Sequence, residues 1–140
     1  MKTLYVTVGL PRSGKSTWAK EQNVPMVNPD SIRLAIHGQR FYKPAEGFVW
    51  ATAEAMVRSL FLAGHDKVIL DATNTTKARR DRWYSTEWFT QFVNFNASKA
   101  ECIRRAGEDA VIVNVIEQMA DNYQSLEVTE NWMPPKPISP

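Results

Sequence analysis

Apolar residues in this chain fall into two rhythms. Residues 3–8, 24–28, 67–71 and 90–95 are short, largely unbroken runs of apolar and β-branched residues, and each predicts a buried strand. Between and after them, apolar positions recur at helical spacing. A first helix is predicted from Ser16 to about Gln22, and a second from the Pro29-Asp30-Ser31 start to Gly38. A long helix follows over about 45–63, with Val49, Ala53, Met56, Val57, Leu60 and Phe61 on one stripe and Gly64 closing it. Further helices are expected over about 76–89, 98–105 and 111–123. Four prolines in the last seven residues break the pattern, so 125–140 reads as an extended or mobile tail behind a domain spanning 1–124.

Strands that alternate with helices predict an α/β fold. The expected architecture is a parallel sheet of about four to five strands, joined by right-handed crossovers and flanked by helices on both faces. Such sheets bind ligands beyond the carboxyl ends of their strands. That rule places the residues after each strand along one rim.

Composition adds little to this picture but excludes several alternatives. The chain has 140 residues, enough for one domain that buries roughly two-thirds of its unfolded surface. A formal charge of +2 does not by itself indicate a nucleic-acid partner, so any such claim rests on local clusters. Cys102 is the only cysteine, which excludes an internal disulfide and suits a reducing cytosol. Pro11 and Arg12 break the N-terminal apolar run, so no signal peptide is expected, and no apolar run approaches the ~18 residues of a membrane span. A cytoplasmic protein without a membrane partner is expected; its oligomeric state is not readable.

The first strand runs into Gly9-Leu10-Pro11-Arg12-Ser13-Gly14-Lys15-Ser16, which satisfies every fixed position of the phosphate-binding pattern G-x-x-x-x-G-K-[ST]. Such a loop wraps backbone N–H groups around a polyphosphate, with the following helix aimed at the negative charge. Gly9 through Thr17 are therefore the expected ATP-binding residues. Lys15 is expected on the β- and γ-phosphates, and the Ser16 hydroxyl on Mg²⁺. Asp71, ending the third strand, is the expected carboxylate near the same ion.

Asp30 and Arg33 are three apart at a helix start and so face the same way. Asp30 would accept a proton from an attacking hydroxyl, and Arg33 would hold a phosphate of the acceptor. The alternative makes Asp30 only a helix cap. Asn74 and the cluster Lys77, Arg79, Arg80 and Arg82 follow Asp71. Asn74, Arg79 and Arg80 are candidate acceptor ligands, against a turn residue and a solvated basic face. Phe41, Tyr42, Phe48 and Trp50 lie near Arg40 and Lys43; core packing competes there with base stacking. Arg104 and Arg105, before Gly107, are candidate lid arginines over the phosphates.

With these residues in place, the chain resembles the kinase domain of phage polynucleotide 5′-kinases over about residues 2–123. The specific parts are Gly9-x-Pro11-x-Ser13-Gly14-Lys15-Ser16-Thr17-Trp18-Ala19, Asn28-x-Asp30-x-x-Arg33, and Asp71-x-Thr73-Asn74 leading into Arg79-Arg80-x-x-Trp83. The resemblance implies a P-loop NTPase fold, ATP and Mg²⁺ as cofactors, Asp30 as general base, Arg33 on an acceptor phosphate and lid arginines on ATP. It also implies a host-cytoplasm setting if the chain is phage-encoded. Arg12 stands where the family usually has glycine, and Glu108 and Asp109 where a further lid arginine is expected. No D-x-D-x-T phosphatase motif is present.

The expected activity is ATP-dependent transfer of a phosphoryl group to a hydroxyl of a nucleic acid or nucleotide, foremost a polynucleotide 5′-hydroxyl. The rivals are a kinase for a small metabolite or modified base, and a nucleotide-hydrolysing switch without transfer.

Overall fold

The computed structural model describes residues 1–138, so the final two positions of the expected tail lie outside the described residues. The elements in order are β1 (Thr3–Val8), α1 (Lys15–Glu21), β2 (Met26–Val27), α2 (Pro29–His37), a 3₁₀ turn (Lys43–Ala45), α3 (Glu46–Leu62), β3 (Lys67–Leu70), α4 (Lys77–Asp81), β4 (Phe89–Asn94), α5 (Lys99–Ala106), α6 (Ala110–Asp121) and β5 (Trp132–Met133). The strands form one five-stranded sheet in the order β2-β3-β1-β4-β5, parallel throughout. This is the α/β fold expected from the alternating pattern.

Alternation along β1 decides which helix covers which face. Leu4, Val6 and Val8 point to one side and pack with Val49, Ala53 and Val57 of α3. Tyr5 points to the other, among Ile69, Val93 and the Trp18 and Ala19 side chains of α1. A separate cluster joins Leu10 to Cys102 and Ala106 of α5 and Ile116 of α6, clamping the start of the phosphate loop. Met56, expected on the buried stripe of α3, is largely exposed.

Side-chain caps fix the helix starts near the sheet rim. Asn28 caps α2 by accepting from the Ser31 N–H at 3.2 Å, and Pro29 fills the first helical position. Ser98 caps α5, and Asp109 caps α6 through the Ile112 N–H.

Two predicted elements are corrected. The helix expected over 76–89 stops after Asp81. The Trp83 carbonyl accepts from Trp88 Nε1 at 2.9 Å and from Thr90 Oγ1 at 2.8 Å, so side chains satisfy it where a continuing helix would use a backbone N–H. The second correction concerns the tail. Residues expected to trail the domain supply its fifth strand, with the Phe92 N–H bonded to the Asn131 carbonyl at 2.9 Å. Beyond it, Trp18 Nε1 donates to the Lys136 carbonyl and the Ile138 N–H to Gln22 Oε1. No helix among the described residues is long and apolar enough to cross a membrane.

Candidate active site

The phosphate loop leaves β1 and closes on itself before α1. Gly14 sits at φ +106, in the left-handed region where a side chain is strained, and α1 begins without a side-chain cap. The first N–H groups of α1 are thus left for a ligand. Gly9 is required for a different reason. A Cβ there would come within 2.7 Å of Ser13 Oγ and 2.9 Å of the Phe95 Cβ and carbonyl. Arg12 holds φ +67 without being glycine, a conformation that costs an ordinary residue about 1–2 kcal/mol.

Lys15 is buried and donates to the Leu10 carbonyl at 2.7 Å. Burial pushes its ammonium down to about 8, against the opposing pull of Asp71, Cys102 and Asp30. The parallel order β2-β3-β1, with Ser16 and Asn28 both bonded to Asp71, puts the ends of β1, β2 and β3 on one rim. A cavity of about 840 Å³ opens beside Arg12 through Trp18, bounded by Glu21, Phe95 and Arg105.

Ser16 Oγ donates to Asp71 Oδ2 at 2.8 Å, and Asn28 Nδ2 donates to the same oxygen at 3.1 Å. Asp71 Oδ1 accepts nothing among the described residues. A hydroxyl beside a carboxylate with one open oxygen suits a hard divalent cation that keeps most of its waters. The expected residues for Mg²⁺, Ser16 and Asp71, are therefore adjacent, and the donor set is all oxygen.

On the acceptor side, Asn28 caps α2, so Asp30 is not the cap. Its side chain is 71% exposed and accepts from Arg33 Nη1 at 2.7 Å. Arg33 is 14% exposed and also grips Glu46, through Nε at 2.9 Å and Nη2 at 2.7 Å. These hydrogen bonds hold the Glu46 carboxyl below its ordinary range. The bonds to Glu46 and Asp30 outweigh burial and raise Arg33. Arg79 lies over the Trp50 ring at 4.7 Å and Arg33 over the same ring at 5.8 Å.

Several predicted residues take other places. Arg80 is fully buried, and its five N–H groups reach Glu130 twice and the carbonyls of Asn74, Gln124 and Ser125. It cannot meet an acceptor. Asn74 is likewise buried, at φ +47, with Nδ2 donating to the Thr7 carbonyl at 2.9 Å. It ties a turn to β1. Of the two expected lid arginines, Arg105 bounds the cavity and donates to the Arg12 carbonyl at 3.1 Å. Arg104 points outward onto Glu101 and does not line the cavity. Gly9, Leu10 and Pro11 shape the loop without lining the cavity. Of the aromatic group, Trp50 is buried, while Phe41, Tyr42 and Phe48 are exposed.

Two residues that sequence reasoning did not place belong to the site. Asn28 joins Asp71 to α2, and Glu46 anchors Arg33 from thirteen residues away. The Asn28-x-Asp30 spacing carried a signal for the first; no local signal marks the second.

A family model described as an AAA domain matches residues 4–126. Among solved structures, a chain of the Pnkp1/Rnl/Hen1 complex is similar at 32% identity and a TM-score of 0.66, over 74% of this chain and 39% of that one. The present chain thus spans well under half of that relative's length. A structure of the Pnkp1/Rnl/Hen1 RNA repair complex matches at 21% identity and a TM-score of 0.65, over 91% of this chain and 50% of that one. A sugar kinase from Janibacter sp. HTCC2649 matches at 15% identity and a TM-score of 0.69, over 96% and 84% of the two chains, a likeness of fold alone.

Proposed function

The chain belongs to the AAA-domain family matched over residues 4–126 and has the P-loop kinase fold, and from that premise we propose that it transfers the γ-phosphate of ATP to a nucleic-acid or nucleotide hydroxyl, foremost a polynucleotide 5′-hydroxyl. One observation carries the reading. An exposed carboxylate, Asp30, is held by an arginine on the helix whose cap also fixes the cation-side carboxylate Asp71. A nucleotide switch needs the second group but has no use for the first. The 32% identity to a chain of the Pnkp1/Rnl/Hen1 complex, which a second structure describes as an RNA repair complex, favours nucleic acid as the acceptor.

In this reading the loop N–H groups and Lys15 hold the polyphosphate, and Arg105 closes its outer side. Ser16 and Asp71 would hold Mg²⁺, which when bound offsets phosphate charge. Asp30 accepts the proton of the acceptor hydroxyl as the new O–P bond forms and the bond to the β–γ bridging oxygen breaks, releasing ADP. Arg33 and Arg79 supply the positive charge around the acceptor. Alignment and electrostatics do the work, with no covalent role for the protein. The buried, unpaired Cys102 suits a reducing cytoplasm.

Incubation with γ-labelled ATP and a panel of 5′-hydroxyl DNA, RNA, nucleosides and sugars tests the proposal. Label should move to the nucleic acids, and Asp30→Ala should abolish transfer while ATP affinity is kept. Steady ATP hydrolysis with label on no acceptor would refute it, and label on sugars alone would move the acceptor class to small metabolites.

A further inference from the structure

A second cavity, of about 380 Å³, lies on the face of the sheet opposite α1. Strand register puts it there. Trp132 pairs with Phe92 and so shares its face, and Asn94, two residues beyond Phe92, points the same way. Phe95 turns to the other face, onto Trp18 of α1. The end of α6 closes the cavity with Ala120 and Tyr123, and the connection to β5 closes it with Ser125. No charged side chain lines it. The side chains of Asn94, Asn96, Ser125 and Tyr123 make no hydrogen bond among the described residues. Asn94 Oδ1 is also shielded from solvent, an uncommon state for an amide oxygen. Rotation about χ2 is soft in asparagine, so either end of this amide can turn into the cavity.

An apolar cleft on which a few unpaired polar groups converge is the usual form of a small-molecule site. Its chemistry narrows the ligand. The uncharged lining gives a phosphate or carboxylate no counter-charge. Tyr123 and Trp132 offer aromatic surface to a flat ring. An asparagine amide presents a donor and an acceptor side by side, the pair that matches the N6 and N7 edge of adenine. We infer that this cavity is a regulatory site for an uncharged purine nucleoside, its base hydrogen-bonded to Asn94. Two connections carry the effect to the donor site. Leu10 is a wall of the cavity and also the phosphate-loop residue whose carbonyl holds Lys15 at 2.7 Å. On the far wall, the Gln124 N–H donates to the Thr75 carbonyl, Gln124 Oε1 accepts from the Lys77 N–H, and the Ser125 carbonyl accepts from Arg80. That wall is thereby tied to the segment following Asp71. A ligand that fixes both walls changes ATP affinity without touching the phosphates.

Calorimetric titration with adenosine tests this, on the free protein and again with a non-hydrolysable ATP analogue at saturation. Adenosine should still bind once with the analogue in place. Asn94→Leu keeps the volume and removes the amide, and should weaken that binding at least about tenfold. Ala120→Phe fills the cavity and should abolish it. Analogue affinity within about threefold of wild type in each variant, measured without adenosine, reports an intact fold. Saturating adenosine should shift the wild-type analogue affinity by about fivefold or more, and the analogue should shift adenosine affinity by the same factor. Loss of adenosine binding once the analogue is bound overturns the proposal, because adenosine then occupied the position of the donor base. So does adenosine binding left unchanged by either variant. An unchanged analogue affinity under saturating adenosine overturns the regulatory role. If the analogue itself does not bind, the donor reading has failed, and the response of adenosine binding to the two variants still decides what the cavity holds.

Discussion

Glu130→Ala removes the one carboxylate that, among the described residues, pairs with the buried Arg80 guanidinium, and its effect can be worked from the contacts. Arg80 would keep three carbonyl partners but lose bonds of 2.8 and 3.1 Å to a charged acceptor. Two bonds to a charged group are worth about 1.5–3 kcal/mol each. Breaking a buried pair from one side costs about 3–5 kcal/mol in general. The two routes agree on roughly 4 kcal/mol, a large part of the roughly 5–15 kcal/mol that a domain has. The expected fall in Tm is roughly 10–20 °C. Urea titration followed by tryptophan fluorescence measures it, with Trp83 three residues from Arg80. Arg80→Met with Glu130→Leu should recover much of the loss, because neither charge is then stranded. The pH dependence has a definite sign. Burial would raise Glu130, but its bonds to Arg80 and the Glu127 N–H prevail and lower it below 4.5. The stability it contributes is therefore present above the unfolded value and lost as pH falls through the folded one. A loss below about 1 kcal/mol in Glu130→Ala would refute the reasoning, since that is the scale of an exposed pair.

Three further outcomes are expected. Lys15 starts from about 8 in the free protein, and bound phosphates favour its ammonium, so ATP affinity should be flat below about pH 8 and fall by up to about tenfold per unit above it; calorimetric titration of wild type against Lys15→Met checks this, and a flat wild-type profile to about pH 9.5 would contradict it. Arg105→Ala should weaken ATP binding or slow transfer, whereas Arg104→Ala should leave both near wild type; equal effects in steady-state kinetics would show that cavity lining does not decide the role. Arg12→Gly should raise stability by about 0.5–1 kcal/mol in urea titration by releasing a left-handed conformation, while ATP binding weakens as a cation leaves the cavity mouth.

The donor half of the site was legible because its chemistry is local. Phosphate binding needs consecutive N–H groups, a lysine and a hydroxyl at set spacing, and the apolar run before Gly9 announced the strand that carries them. The acceptor half was legible only where partners are close in sequence, as with Asp30 and Arg33. Glu46 is far from Arg33 in the chain, and only the packing of α2 on α3 brings them together. Arg79 and Arg80 are neighbours of identical type, so composition could not separate the exposed one from the buried one. A helical reading gives a hint: Thr76, Arg80 and Trp83 share a face, which puts Arg80 on the buried side with Trp83. The tail was misread because its prolines outweighed Glu130 and Trp132, whose roles depend on partners forty or more residues away. The short α4 reflects the same limit, since Trp88 and Thr90 bond to Trp83 through side chains that no periodicity describes.

Asn28 gives the molecule a fixed ruler between its two half-sites. One amide accepts from the Ser31 N–H and donates to Asp71, so the separation of α2 from the cation-side carboxylate is set by a single rigid group. Loop packing would allow that separation to drift; a planar amide bonded at both ends does not. The ruler also has a direction, because its oxygen serves the helix and its nitrogen the carboxylate. Asp at position 28 would keep the cap and the length but turn the second contact into repulsion between two carboxylates. The tolerance of the site to substitution is therefore narrower at this uncharged residue than its place outside the phosphate loop would suggest.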